Sequence, residues 1–144
     1  MPTPATYDDV NLILRLYEMR REARLREARA WFVKNFKPKT IADVDRICPP
    51  GSEENASYRM VVTYWEMVSS FITSGVLNED LFFQSGRELL LVWVRVKPVV
   101  EEGRTMLKAP EMWKNLETVA TRYIEYLERT SPESFKAFAA RVGG

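Results

Sequence analysis

The sequence lacks histidine altogether, has one cysteine and has no glycine-rich loop. Histidine is the commonest metal ligand and general base near neutral pH, so two-histidine zinc sites, Glu-x-x-His di-iron bundles and Ser-His or Cys-His nucleophile systems are excluded. Cys48 is single, which excludes an intrachain disulfide and fits a reduced, cytosolic setting. Isolated glycines such as Gly75 and Gly86 form no phosphate-binding motif. We therefore expect no enzyme activity, no metal and no other cofactor.

The sequence also lacks a long apolar run and an excess of one charge. Its longest run of apolar residues, Leu89 to Val94, is far below the roughly 18 residues of a membrane span. The start, Met-Pro-Thr-Pro followed by Asp8 and Asp9, is unlike a secretory signal. The 21 basic and 20 acidic side chains leave a net charge of +1, which argues against nucleic acid as a partner. We expect a cytoplasmic chain without a membrane span.

The apolar spacing predicts an all-α fold. A length of 144 residues with 46% apolar content suits a single domain, here a bundle of five to six helices over residues 1–144. Residues 1–5 are expected to be a disordered lead-in, and residues 6–36 to form one long helix. A helix of about 30 residues would be roughly 45 Å long. Because that exceeds what a compact domain of this size covers, we expect the helix to project or to pack on another copy.

Capping residues mark the next helices. Thr40 with Asp43 opens a short helix, and Ser52 opens one of about 20 residues. Gly75, a residue type that adopts positive φ, and Asn78, an N-cap type, predict a tight corner between that helix and the next. The helix before the corner has an apolar face at i+3 and i+4 steps formed by Tyr58, Val61, Trp65, Val68 and Ile72.

The helix after Asn78 is the most apolar and is predicted to be central. Its Val92-Trp93-Val94-Arg95-Val96 segment alternates as a strand would, but the helix-sized length and the lack of a second strand-like run favour helix. Pro98 should kink or restart this helix. Pro110 should lie in the first turn of a fifth helix, and Ser131 should cap a short final one.

Glu117 is the most interesting ionisable residue because it flanks the apolar face of the predicted fifth helix. A partly buried carboxylate needs a partner, for which Arg104 and Arg87 are candidates. Two interpretations remain open: a structural pair that orients two helices, or a polar spot in an apolar cleft that binds a small molecule. Glu66, beside Trp65, falls on the polar face of its helix and is expected to be exposed.

The first predicted helix is rich in arginine between Arg15 and Arg29. At 100° per residue these arginines scatter around the helix, which favours a solvated surface over a nucleic-acid stripe. Basic and aromatic residues alternate in the segment from Arg29 to Lys37, which could stack bases or could be one amphipathic helix end. The candidate interaction surface consists of Arg20, Arg24, Trp31, Phe32 and Phe36.

Three stretches resemble a family of uncharacterised bacterial helical domains over about residues 58–120. They are the Trp65-Glu66 to Phe83 corner, the segment from Trp93 through Pro98 to Arg104, and the helix that begins Trp-Lys-Asn-Leu-Glu at residue 113. The resemblance implies an all-helical domain in which recurring polar residues form one buried network: Glu66, Arg104, Asn115 and Glu117. With the nearby aromatic residues, the candidate ligand-binding set is Trp65, Glu66, Trp93, Arg104, Trp113, Asn115 and Glu117.

Three functions follow as hypotheses. The first is a non-enzymatic helical module that associates with itself or with a partner protein. The second is a bundle that binds a small molecule in an aromatic pocket around Glu117 and Arg104. The third is nucleic-acid binding through the arginine-rich first helix.

Overall fold

The computed structural model describes residues 3–143, which form α-helices and no strand. The predicted all-α class is confirmed, and the strand alternative for residues 92–96 is not realised. The helices are α1 Tyr7–Arg20, α2 Ala23–Asn35, α3 Ile41–Ile47, α4 Glu53–Thr73, α5 Glu79–Phe83, α6 Glu88–Leu107, α7 Lys114–Thr130 and α8 Ser134–Val142.

The prediction of one helix over residues 6–36 is wrong, because the chain turns between α1 and α2. Glu22 acts as the N-cap of α2: its carboxylate accepts hydrogen bonds from the backbone N–H groups of Arg24 at 3.0 Å and Leu25 at 2.8 Å. After this turn α2 packs along α4 and buries Leu25, Ala28 and Phe32. Burial of this face outweighs the high helix propensity of the linking residues, so residues 7–35 form two packed helices and not one projecting helix.

α4 lies between α2 and α7 and forms the middle of the core. Val61, Trp65, Val68 and Ile72 on its predicted apolar face are buried, and Tyr58 is half-buried. The predicted central helix is in fact two helices, since α5 ends at Phe83 and α6 begins at Glu88. α6 continues through Pro98 and packs against α4, α7 and α8.

The corner between α4 and α5 has the predicted backbone chemistry. Gly75 has a φ of +83°, and the Asn78 side chain accepts the N–H of Leu81 at 2.9 Å as the N-cap of α5. The corner also holds α1, because the Asn78 N–H donates to Asp9 Oδ1 at 2.8 Å. Asn78 Nδ2 donates to the carbonyl oxygen of Thr3 at 2.7 Å, within the lead-in; residues 1–2 lie outside the described residues.

Two further helix starts differ from prediction. Trp113 adopts a left-handed conformation with a φ of +56°, so α7 begins at Lys114 and not at Pro110. The Ser134 N–H donates to the Ser131 carbonyl oxygen at 2.8 Å, which places the predicted N-cap in a turn before α8.

Lowering the pH should destabilise the fold through its capping carboxylates. Backbone N–H groups of Lys39 and Thr40, with the Arg46 guanidinium, lower the pKa of Asp43 from 3.8 to about 2. Hydrogen bonds from Thr6 and Asn78 likewise lower the pKa of Asp9. A carboxyl whose folded pKa is below its unfolded pKa stabilises the fold above the unfolded pKa, and this contribution is lost as the pH falls through the folded pKa.

We therefore expect the free energy of unfolding to fall between about pH 4 and pH 2. Urea denaturation at a series of pH values measures it, and Asp43→Asn should show a shallower decline than the wild type. A free energy of unfolding that stays constant over this range would contradict the assignment.

Candidate functional site

Arg104 and Glu117 form the predicted ion pair at the junction of α6 and α7. Arg104 is 6% exposed, and its Nη2 lies 3.0 Å from Glu117 Oε1. Its Nη1 donates to Glu101 at 2.8 Å and its Nε to the Met112 carbonyl oxygen at 2.8 Å. Each guanidinium nitrogen therefore already has an acceptor within the chain. Arg87, the other candidate partner of Glu117, donates to Ser134 Oγ instead.

Glu66 is partly buried against α7, although the helical count predicts that it is exposed. Its Oε1 accepts the backbone N–H of Leu116 at 2.8 Å, and its Oε2 accepts Asn115 Nδ2 at 2.7 Å. Asn115 Oδ1 in turn accepts the hydroxyl of Thr73 at 2.6 Å. Glu66 thus caps the N-terminus of α7 from a neighbouring helix, where Trp113 provides no side-chain cap.

The seven candidate ligand-binding residues do not form one cluster. Glu66 with Asn115, and Arg104 with Glu117, are two separate hydrogen-bonded sets on the first turn of α7. Trp113 lines a cavity of about 180 Å³ near this turn, whereas Trp65 lines a different cavity under α1. Trp93 is 5% exposed and belongs to the core.

The burial of two aromatic residues corrects the predicted N-terminal interaction surface. Phe32 and Phe36 are 0% exposed, and their rings stack with centroids 4.8 Å apart. The Phe36 ring also stacks on Tyr58 at 4.7 Å. Because these rings fill the space between α2 and α4, they contribute no contact surface, and Trp31 is only partly exposed.

The arginines of α1 and α2 hold the N-terminal helices on the core. Arg20 Nη1 lies 3.2 Å from Glu88 Oε2, and Arg29 Nε lies 2.9 Å from the same oxygen. Arg24 Nη2 donates to Ser57 Oγ at 3.2 Å. Two guanidinium groups thus share the Glu88 carboxylate, so this cluster of three side chains retains one positive charge.

The outer face of α1, formed by Tyr7, Val10, Leu14 and Tyr17, is an exposed apolar stripe. These side chains are 86%, 40%, 55% and 51% exposed, respectively. The helix buries Asp9 and Leu16 on its opposite side. The sequence analysis did not single out these residues as a surface. The signal that distinguishes them is their 3-4-3 spacing, which is that of a helix-pairing seam.

A cavity of about 340 Å³ lies between α1, α4 and the α5–α6 turn. Its walls are largely apolar and include Ile13, Val68 and Phe82. Two groups with hydrogen-bond donors also line it, Arg20 and Trp65. The indole Nε1 of Trp65 is buried and has no hydrogen-bond partner among the described residues.

Arg95 is a buried cation that the sequence analysis did not single out. It is 5% exposed, and burial lowers the pKa of its guanidinium below the ordinary value. Its Nη1 donates to the carbonyl oxygens of Phe32, Val33 and Phe36 at 2.9–3.3 Å, and its Nε donates to that of Val142. Arg95 therefore binds the C-terminal ends of α2 and α8 together.

Within residues 3–143, no group of three or more Cys, Asp or Glu side chains is arranged to hold a metal ion. None of the helices described for this chain is both long and apolar enough to cross a membrane.

Comparison with known proteins identifies a family. No curated protein and no solved structure matches the chain. A family model described as a domain of unknown function (DUF4760) matches residues 5–123, which run from the residues before α1 into α7. The resemblance to an uncharacterised helical family is confirmed. Because the match covers most of its length, the chain belongs to the DUF4760 domain family.

Proposed function

We propose that this chain is a non-enzymatic helical module that self-associates by pairing the α1 stripe with that of a second copy. The observation that carries the proposal is the exposure of Tyr7, Val10, Leu14 and Tyr17 along one face of a packed helix. A contiguous exposed apolar patch is typical of an interaction site. Large aromatic residues at its two ends are the residue type enriched in interfaces.

The stripe is self-complementary when two helices run antiparallel. Reversal about the middle of α1 places Tyr7 opposite Tyr17 and Val10 opposite Leu14. Aromatic residues then meet aromatic residues, and aliphatic residues meet aliphatic residues. A two-fold interface uses the same patch on both copies and is the commonest oligomer geometry. The spacing 7, 10, 14, 17 is the same in both directions, which favours a second copy of this chain over an unrelated partner.

Electrostatics place no barrier against this pairing. The net charge of the chain is +1, so two copies repel each other little. Asn11 and Ile13, which flank the middle of the stripe, are uncharged.

Among residues 3–143, no contact favours the two other hypotheses. The donors of Arg104 are occupied by Glu101, Glu117 and Met112, which supports a structural role for the ion pair. Arg20, Arg24 and Arg29 make contacts within the chain and do not form a continuous basic face for nucleic acid.

The test compares the mass of the wild type in solution with that of the double variant Tyr7→Gln/Val10→Gln. Neither residue lines the cavity under α1, and glutamine retains helix propensity. We expect the wild type to form a dimer whose dissociation constant rises at least tenfold in the variant, because burial of these side chains is lost. Light scattering over a range of protein concentrations gives both values.

The matched control is Met106→Gln/Leu107→Gln, which removes two other exposed apolar residues, 62% and 67% exposed, at the end of α6. This variant should dimerise like the wild type. A wild-type chain that stays monomeric at every concentration, or a dimer that the control disrupts and the α1 variant does not, would overturn the proposal.

A further inference from the structure

We propose that the cavity under α1 binds a small amphiphilic carboxylate, with its aliphatic tail in the cavity and its carboxylate at Arg20. The cavity has a volume of about 340 Å³, within the range of small-molecule sites. It lies within one chain and is distinct from the Arg104–Glu117 junction. Leu14 and Tyr17 line the cavity and also belong to the α1 stripe, so the two proposals share these residues and are separated below by variants of Tyr7 and Val10.

The apolar walls of the cavity favour the aliphatic tail of the ligand. Ile13, Leu14, Val68 and Phe82 come from three helices and line the cavity. An alkyl chain placed there would leave water and contact these side chains, which is favourable by the hydrophobic effect. A strongly polar ligand such as a sugar or nucleotide would find few partners on these walls.

The Arg20 guanidinium favours a ligand with an anionic head group. The guanidinium carbon of Arg20 lies 5.4 Å from the centroid of the Trp65 ring and 5.5 Å from that of Tyr17, which fixes it at the cavity. Arg20 shares the Glu88 carboxylate with Arg29, so the cluster carries one uncompensated positive charge. A carboxylate beside Arg20 would balance that charge.

The indole of Trp65 provides a second, independent indication. Buried donors in folded proteins nearly always have an acceptor, and each exception calls for an explanation. Trp65 is 2% exposed and its Nε1 has no partner among the described residues, although the ring lines the cavity. Nε1 itself is enclosed, so an acceptor oxygen brought by a ligand would satisfy this N–H group once the surrounding side chains shift on binding.

The experiment uses decanoate as the probe, below the concentration at which it forms micelles, and decanol as its uncharged counterpart. Calorimetry gives the affinities, and the indole N–H resonance of Trp65 in a ¹H–¹⁵N spectrum reports on its hydrogen bond. We expect decanoate to bind roughly tenfold more tightly than decanol, because a charged hydrogen bond is added. The Trp65 N–H resonance should move downfield on binding.

Arg20→Met keeps the apolar stem and removes the charge, so it should weaken decanoate binding roughly tenfold and leave decanol binding unchanged. Arg15→Met, on an exposed position of the same helix that does not line the cavity, should bind decanoate like the wild type. Absence of decanoate binding to the wild type, or equal affinity in Arg20→Met, would overturn the proposal. The Tyr7→Gln/Val10→Gln variant keeps the cavity lining, so it should still bind decanoate, which separates this inference from self-association.

Discussion

Replacing Arg95 with methionine is expected to lower the free energy of unfolding by about 3–5 kcal/mol. The substitution removes the guanidinium donor from the carbonyl oxygens of Phe32, Val33, Phe36 and Val142, of which Phe32 keeps the Phe36 N–H as a donor. It also removes the positive charge at the C-terminal ends of α2 and α8, where a cation is favourable. The loss is a large fraction of the 5–15 kcal/mol typical of a folded domain.

Urea denaturation followed by circular dichroism measures this loss. Lys97→Met is the matched control, because it removes an exposed cation two residues further along α6. Arg95→Lys should recover little of the stability, since one ammonium group cannot replace a planar guanidinium with several fixed donors. If Arg95→Met were as stable as Lys97→Met, Arg95 would not hold the two helix ends.

Replacing Arg104 with methionine is expected to lower the free energy of unfolding by about 2–3 kcal/mol. The buried guanidinium joins Glu117 at 3.0 Å and the Met112 carbonyl oxygen at 2.8 Å, so its removal loosens the start of α7. The loss should be smaller than for Arg95, because Glu117 is partly exposed and keeps Lys114 as a partner at 3.5 Å.

The control for Arg104 lies within the same cluster. Glu101 also pairs with Arg104, at 2.8 Å, but its side chain is 85% exposed. Since exposed ion pairs stabilise little, Glu101→Gln should change the free energy of unfolding by less than about 0.5 kcal/mol. Equal losses in the two variants, or a stable Arg104→Met, would refute the structural role of the buried pair and support a binding role instead.

The helix starts that depend on a local cap were predictable from sequence. The side chains of Thr40, Ser52 and Asn78 each accept a backbone N–H within three residues, and each begins the helix expected of it. Gly75 adopts the expected positive φ for the same reason, because its conformation is set by neighbours along the chain. In all four cases the decisive contact is local.

Apart from the Arg104–Glu117 pair, the features described above that depend on contacts between distant residues were not predicted. Glu22 lies in a segment of high helix propensity, and the turn forms there because α2 then buries Phe32 against α4. Glu66 accepts the N–H of Leu116 across 50 residues. Arg95 donates to backbone carbonyl oxygens. Because every residue has a carbonyl oxygen, the sequence does not indicate which residues Arg95 binds.

The same reasoning explains the missed stripe on α1. Helical periodicity groups Val10, Leu14 and Tyr17 on one apolar face, but periodicity alone does not tell which face of a helix meets the core. In the fold, α1 turns Leu16 inward, and Tyr64 donates its hydroxyl to the Leu16 carbonyl oxygen at 2.6 Å. The face that carries Val10, Leu14 and Tyr17 is therefore left outside, which is the observation behind the proposed self-association.

The most direct test of that central claim is disulfide trapping between two single variants, Val10→Cys and Leu14→Cys. The native Cys48 is 0% exposed and should not interfere. When the two proteins are mixed and mildly oxidised, mass spectrometry should detect mainly the disulfide between position 10 of one copy and position 14 of the other. A 10–14 fraction no larger than the roughly one half that random pairing of an equal mixture gives, or no covalent dimer at all, would contradict antiparallel pairing of α1.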